Sequence, residues 1–168
     1  ELGELHEAAA CYERVIALDP KHATAHYNLA NVLVTKRDFE AAIKSFERTL
    51  AVQPNFPQAQ LNFGTALIEL GRFDEALEKF NAALFANPDF VEALQGRALV
   101  LILKGKPQEA LGTVGRALDI RPTADAKLLF VECVKVLDSY PTASWLAKHL
   151  IAAISEPWGY PHEFAIFI

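Results

Sequence analysis

The chain has 168 residues, of which 52% are hydrophobic, and its formal net charge is −5. Its 16 lysines and arginines are scattered along the chain, so we expect no nucleic-acid partner, because phosphate binding needs a clustered basic face. No apolar run approaches the ~18 residues that a membrane-spanning helix needs, so we expect no membrane span. Cys11 and Cys133 are too far apart in sequence to suggest a disulfide framework or a zinc knuckle, which favours a reducing, cytoplasmic location.

The chain repeats itself with a period of 34 residues. Two residue types recur at this step: Pro20, Pro54, Pro88 and Pro122, and Ala8, Ala42, Ala76 and Ala110. A period of this length predicts a solenoid of stacked helical hairpins. We expect each second helix to end before its proline, because the residue preceding a proline avoids the helical conformation.

Small and aromatic residues also hold fixed positions in each hairpin. They are Ala30, Gly64 and Ala98 in the first helix, Ala42, Ala76 and Ala110 in the second, and the aromatic column of Tyr12, Phe46 and Phe80, which Val114 breaks. Facing small side chains allow two helices to approach to about 8 Å. Together with the prolines, these columns resemble the tetratricopeptide repeat family, in an array of the bacterial type, over residues 1–122. The resemblance implies an all-α, right-handed superhelical solenoid of antiparallel helix hairpins.

In chain order, residues 1–22 are interpreted as a half repeat, and residues 23–56, 57–90 and 91–124 as three complete repeats. The half repeat would leave Ala9, Tyr12 and Val15 without a partner helix, so we expect a fragment of a longer array. Self-association into homo-oligomers through the exposed array ends is one expected consequence. Arg37 occupies the turn position that glycine holds in the next two repeats, which predicts a corner that is either strained or loosened.

Residues 123–155 are interpreted as a degenerate repeat or capping hairpin. Its first helix is predicted over Ala126 to Asp138, with an apolar stripe at Leu128, Val131, Val134 and Leu137, and its second over Thr142 to Ser155. Residues 156–168 form a non-repeat tail that loosely resembles the junction to a methyltransferase or glycosyltransferase domain. The alternative is a tail that folds back over the last hairpin and covers its apolar end.

No residue pattern predicts catalysis. His22 and His26 are four residues apart at a helix start, but no third metal ligand is near in sequence. Cys133 has no nearby histidine to activate it, and no glycine-rich segment has the spacing of a phosphate loop. We therefore expect neither an enzyme nor a cofactor or metal site.

The resemblance places the first helices on the concave side, where ligands of this family usually lie. The candidate groove residues are Tyr27, Asn28, Asn31, Thr35, Gln58, Leu61, Asn62, Thr65, Glu69, Gln95, Arg97 and Leu99. For Arg97 two interpretations are open, because it shares a column with Leu29 and Phe63. Either its stem packs while the guanidinium reaches solvent or a carboxylate, or the charge is offered to a ligand.

The family holds peptides in two ways that can be compared with these columns. The basic positions of a carboxylate clamp are occupied by Tyr27, Glu92 and Gly96, which argues against that clamp. Asn28 and Asn62 match the asparagine ladder of members resembling the repeat arm of O-linked N-acetylglucosamine transferase, and Gly96 ends it. The same asparagines could instead bridge adjacent repeats.

The leading functional prediction is a protein-interaction scaffold that binds an extended peptide or partner helix. The alternative is the recognition arm of a larger enzyme, a methyltransferase or glycosyltransferase.

Overall fold

The computed structural model describes residues 2–136, and this part of the chain is helical without a strand. Its helices are α1 (Leu2–Leu18), α2 (Ala23–Thr35), α3 (Phe39–Val52), α4 (Pro57–Glu69), α5 (Phe73–Ala86), α6 (Val91–Leu103), α7 (Pro107–Ile120) and α8 (Ala124–Lys135). The predicted all-α class is confirmed. Helices α3, α5 and α7 each end two residues before the proline of their repeat, as the spacing predicts.

The helices pack as three hairpins, α2 with α3, α4 with α5 and α6 with α7, stacked in chain order. Extensive contacts join only helices that are neighbours or next neighbours along the chain. Among the next neighbours, the first helices α2, α4, α6 and α8 contact one another more closely than the second helices do. A stack whose members are closest along one edge is curved toward that edge, so the first helices line its inner side.

The seam inside each hairpin is made of small residues. Ala30, Ala42, Ala76, Ala98 and Ala110 are fully buried, and Gly64 is buried with them, as the sequence columns predict. Val114 is fully buried as well, so an aliphatic side chain fills the aromatic position in the third hairpin.

Phe80 of α5 fills the space between the second hairpin and the first helix of the third. Its ring is fully buried against two glycines, Gly64 of α4 and Gly96 of α6. A Cβ atom at Gly64 would lie 2.8 Å from Cε1 of this ring, and one at Gly96 would lie 2.6 Å from it. Real Cβ atoms do not come this close, so the ring occupies the volume that two side chains would otherwise need.

The turn inside each hairpin has the same left-handed geometry. Arg37, Gly71 and Gly105 have φ angles of 61°, 71° and 68°. In each case the following residue donates its N–H to the carbonyl five residues back, the hydrogen bond of a Schellman cap: Asp38 to Leu33, Arg72 to Leu67 and Lys106 to Leu101. Glycine adopts this conformation freely and arginine does not, so the strain predicted at Arg37 is present.

Helix α8 begins two residues before the predicted start at Ala126, and one residue earlier than the 34-residue period places it. Helices α2, α4 and α6 start at Ala23, Pro57 and Val91, whereas α8 starts at Ala124, 33 residues after α6. Thr123 fixes this start, because its hydroxyl accepts a hydrogen bond from the N–H of Ala126 at 3.2 Å.

The earlier start turns the helix by about 100° relative to the predicted register. The buried face therefore consists of Ala126, Lys127, Phe130, Val131, Cys133 and Val134. The predicted stripe is wrong at Leu128, whose side chain is 53% exposed. The rest of the predicted cap and the tail lie outside the described residues.

Helix α1 packs against α2, and this contact corrects one expectation for the half repeat. Ala9 is buried and Tyr12 is half-buried, whereas Val15 is exposed. Of this face, only Val15 is therefore exposed, as expected for all three residues. Self-association remains a prediction.

The contact between Phe80 and Gly64 predicts that a glycine-to-alanine substitution lowers the stability of the protein, the opposite of its usual effect in a helix. In an open helix this substitution stabilises by about 0.5–1 kcal/mol. At Gly64 the added methyl group overlaps a fully buried ring, which would have to shift within the core, so we expect Gly64→Ala to destabilise by about 1–3 kcal/mol in urea denaturation.

Gly112 in α7 provides the matched control, because nothing lies within 4 Å of a Cβ built there. Gly112→Ala should stabilise the protein. Equal stabilisation by both substitutions would show that the ring does not close the space at Gly64.

The left-handed turn at Arg37 predicts a stabilising substitution. Arg37→Gly should be more stable than Arg37→Ala by about 1 kcal/mol in thermal or urea unfolding, since only glycine relieves the strain. The alanine variant is the reference because both changes remove the 3.6 Å ion pair with Glu69 and the contact with the Phe39 ring. Indistinguishable stabilities would contradict a strained corner.

Candidate binding groove

The inner faces of α2, α4, α6 and α8 form the groove in which the sequence places its candidate residues. Six of these residues are half-buried, Tyr27, Asn28, Asn31, Asn62, Gln95 and Arg97; Thr35, Gln58, Thr65, Glu69 and Leu99 are exposed, and Leu61 is buried. Most of the set therefore presents some surface to solvent.

A polar network joins the first two repeats at the floor of the groove. The side-chain nitrogen of Asn62 donates to the Tyr27 hydroxyl at 3.1 Å and to Oδ1 of Asn31 at 2.8 Å. Tyr27 is itself held by aromatic neighbours, with its ring centroid 4.9 Å from that of Phe56 and 6.3 Å from that of Phe46. Asn62 thus ties α4 to α2, which is the bridging role that the sequence left open.

The same network leaves hydrogen-bonding groups unused. In the described part of the chain, Oδ1 of Asn62 and the side-chain nitrogen of Asn31 have no partner, and neither amide atom of Asn28 has one. An amide offers one acceptor and two donors, so these groups can pair with the N–H and C=O of an adjacent peptide backbone. The bridge fixes Asn62 in place without using up its acceptor.

The threonines and Leu61 have less to offer a ligand. The Thr35 hydroxyl donates to the Asn31 carbonyl at 3.0 Å, and the Thr65 hydroxyl donates to the Leu61 carbonyl at 3.1 Å, so both donors are used inside their own helices. Leu61 is 9% exposed and belongs to the hydrophobic core around Phe46 and Phe63. Its side chain packs in the core and presents little surface to the groove.

Gln95 links α6 to the start of α8. Its side-chain nitrogen donates to the Thr123 hydroxyl, the group that also caps α8. Gln95 therefore joins two successive first helices, as Asn62 does one repeat earlier.

Arg97 is half-buried and forms no ion pair within residues 2–136. Of the two interpretations, the one in which its guanidinium meets a carboxylate finds no partner in the described helices. A packed stem with the charge directed to solvent, or to a ligand, is consistent with its partial burial.

Apart from Arg97, the charged residues along the groove are acidic. Glu69 pairs with Arg37, and Glu92 pairs with Arg121, both across solvent-exposed surface where such pairs contribute little. Asp125, in the first turn of α8, has no ion-pair partner among the described residues. The carboxylate of Asp125 is available to a ligand at this position, because Asp125 lines an apolar cavity.

That cavity lies between α6 and α8 and has a volume of about 330 Å³. Its lining residues are Gln95, Gly96, Leu99, Asp125, Leu128 and Leu129. Sequence reasoning missed Asp125 and Leu128 as groove residues because it used the 34-residue register for α8. The signal that could have corrected the register is Thr123, a residue type that commonly caps helices. A larger cavity, of about 720 Å³, lies outside the groove, where Phe56 and Pro57 face Phe85 at the end of α5.

The two histidines at the start of α2 have structural roles that the sequence did not reveal. Nδ1 of His22 accepts from the N–H of Ala25 at 3.1 Å and caps the helix, and Nε2 of His26 lies 3.0 Å from the Pro20 carbonyl.

Within the described helices, no group of three or more His, Cys, Asp or Glu side chains could hold a metal ion. Burial raises the pKa of the Cys133 thiol to about 12, so its reactive thiolate is scarce at neutral pH. None of the helices from α1 to α8 has both the length and the apolar character of a membrane span.

Comparison with known proteins agrees with this architecture. A family model for the tetratricopeptide repeat matches residues 1–59, 27–88 and 61–125. The chain therefore belongs to the tetratricopeptide repeat family. A search of curated proteins found no match.

The solved structures that are similar to the chain include the following three. The MamA RS-1 ArsTM double mutant has a TM-score of 0.78 at 17% identity, covering 89% of this chain and 83% of that one. The first TPR of Spaghetti (RPAP3) bound to the HSP90 peptide SRMEEVD has a TM-score of 0.68 at 21% identity, covering 72% and 97%. MamA MSR-1 C2 has a TM-score of 0.64 at 25% identity, covering 71% and 68%. These similarities confirm the helical solenoid.

Asn62 and Asn28 hold the same position in successive repeats and differ in their bonds, so they predict different effects on stability. Asn62→Ala removes two inter-repeat hydrogen bonds and should destabilise the protein by about 1 kcal/mol in urea denaturation. Asn28→Ala should not, because it breaks no bond in the described structure. The change in helix propensity is the same for both substitutions and cancels in the comparison. Equal effects of the two variants would contradict the bridging role of Asn62.

Proposed function

We propose that this chain is a non-catalytic scaffold that binds an extended peptide segment of a partner protein along the groove. The observation that carries the proposal is the row of amide groups at Asn28, Asn31 and Asn62, which keeps donors and acceptors unused while one of its members is held rigidly. Groups that pair with a peptide backbone bind segments of many sequences, and neighbouring side-chain positions then add selectivity.

The structure of the RPAP3 repeat with its bound HSP90 peptide supports the proposal, since a similar solenoid holds a short peptide there. The residues of this chain favour a different peptide chemistry. The peptide SRMEEVD carries three acidic side chains, whereas the groove here presents Glu69, Glu92 and Asp125. Glu69 and Glu92 are already paired with Arg37 and Arg121, but Asp125 has no ion-pair partner in the described helices and would repel an acidic segment.

The recognition arm of a larger enzyme stays a prediction that depends on the tail, and no contact in the described helices favours it. The same holds for a cytoplasmic location. The proposed scaffold does not depend on either.

Selection from a library of random dodecapeptides against the immobilised protein would supply a ligand for the test. Binding of the selected peptides is then measured by fluorescence anisotropy. We expect Asn28→Ala to weaken binding by up to about tenfold, the effect of one lost hydrogen bond, with an unchanged melting temperature.

Asn81 is the matched control, because it is an exposed asparagine on the second helix α5, outside the groove. Asn81→Ala should leave affinity unchanged, and its stability should match that of Asn28→Ala, because both replace an asparagine by alanine within a helix. A library that yields no binding peptide, or an affinity that does not respond to Asn28→Ala, would refute recognition of the backbone by the amide row.

A further inference from the structure

The two ends of the groove differ in chemistry. Its first half, along α2 and α4, presents amides and hydroxyls, whereas the half along α6 and α8 exposes Leu99, Leu103, Leu128 and Val136. Among these residues, Leu99 and Leu128 face each other across the cavity between α6 and α8. A segment that lies along the whole groove therefore meets polar groups first and apolar groups second.

The size of the cavity limits what it can hold. It is a shallow depression of about 330 Å³ that is largely open to solvent, whereas small-molecule sites bury most of their ligand. Its walls are formed by three leucines and by the backbone of Gly96, which has no side chain. A single bulky apolar side chain of a bound segment fits these dimensions better than a whole cofactor does.

Charge restricts the ligand further. Asp125 lines the cavity with a carboxylate that has no ion-pair partner in the described helices. The carboxylates of Glu92 in α6 and Glu132 in α8 already pair with Arg121 and Lys135. An unpaired carboxylate at the edge of an apolar cavity attracts a cation on the ligand and repels an anion.

On these grounds, and resting on the proposed peptide-binding function, we propose that the cavity between α6 and α8 is a specificity pocket. It takes a bulky apolar side chain from the bound segment, and Asp125 pairs with a lysine or arginine next to that side chain. The partner is thus a basic segment with an apolar anchor, bound at its other end by the amide row.

The test uses the same peptide selection, carried out on the whole chain. Selected peptides should share a bulky apolar residue with lysine or arginine within two positions. We expect Leu128→Ala to weaken such a peptide about fivefold and Asp125→Asn to weaken it about threefold in fluorescence anisotropy.

Controls of the same type are available on the protein. Leu18→Ala changes a leucine at the end of α1 that is 89% exposed and does not line the cavity. Glu78→Gln neutralises an exposed carboxylate of the second helix α5. Both variants should bind the peptide as the wild type does.

A double-mutant cycle identifies the pairing directly. Replacing the basic residue of the peptide by serine should weaken binding to the wild type but have little further effect on Asp125→Asn. Independent effects of the two changes would overturn the proposed ion pair, as would selected peptides in which basic residues are not enriched.

Two other occupants would give different results. Tight binding of a synthetic peptide of residues 156–168 that is lost in Leu128→Ala would identify the chain's own tail as the occupant and overturn the proposal. A concentration-dependent dimer in light scattering that Leu128→Ala dissociates would identify a second copy, with the same consequence.

The outcomes also separate this inference from the function on which it rests. If peptides bind and respond to Asn28→Ala but not to Leu128→Ala or Asp125→Asn, the groove is correct and the pocket is wrong. If no library peptide binds at all, the proposed function fails first.

Discussion

The packing of the Phe80 ring against two glycines is the contact on which both the stack and the groove depend. The ring lies between α4, α5 and α6 and needs the space of a side chain at Gly64 and at Gly96. In the preceding repeat the corresponding ring, Phe46, stacks on Phe63 at 5.9 Å, and the position equivalent to Gly96 is Asn62. The close approach of Phe80 therefore leaves no space at position 96 for a third asparagine in the column of Asn28 and Asn62.

This exchange links the core to the surface. Where Asn62 closes the floor of the groove with hydrogen bonds, Gly96 leaves backbone exposed, and the apolar cavity toward α8 begins there. The buried ring of Phe80 thus determines where the amide groups of the groove end and where its apolar surface begins. The two halves of the groove follow from one packing requirement inside the solenoid.

Much of the fold could be predicted because every repeat solves the same packing problem with the same residue types. The small columns at Ala30 and Ala42, the closing prolines and the left-handed turn at Arg37 repeat at 34 residues, and the structure has each of them. These features are local to one hairpin, so a periodic sequence is sufficient to reveal them.

The register of α8 and the bonds of the groove were harder to predict for the opposite reason. A shortening of one residue before α8 changes the apolar pattern little, because Leu128 and Val131 are apolar in either register, and only the cap at Thr123 distinguishes them. The partners of Asn62 depend on where a neighbouring repeat places Tyr27 and Asn31. The spacing of residues within one repeat contains no information about that.

The restriction of contacts to neighbouring helices has a consequence for how the protein opens. Because no extensive contact joins distant helices among α1 to α8, each described hairpin is held by the helices on either side of it and can unfold in part without the rest. A segment bound along α2, α4 and α6 would contact several hairpins at once and would have to be released before any of them opened. Ligand binding would then replace separate local openings by a single cooperative transition. A bound segment would therefore raise the cooperativity of unfolding as well as the stability of the solenoid.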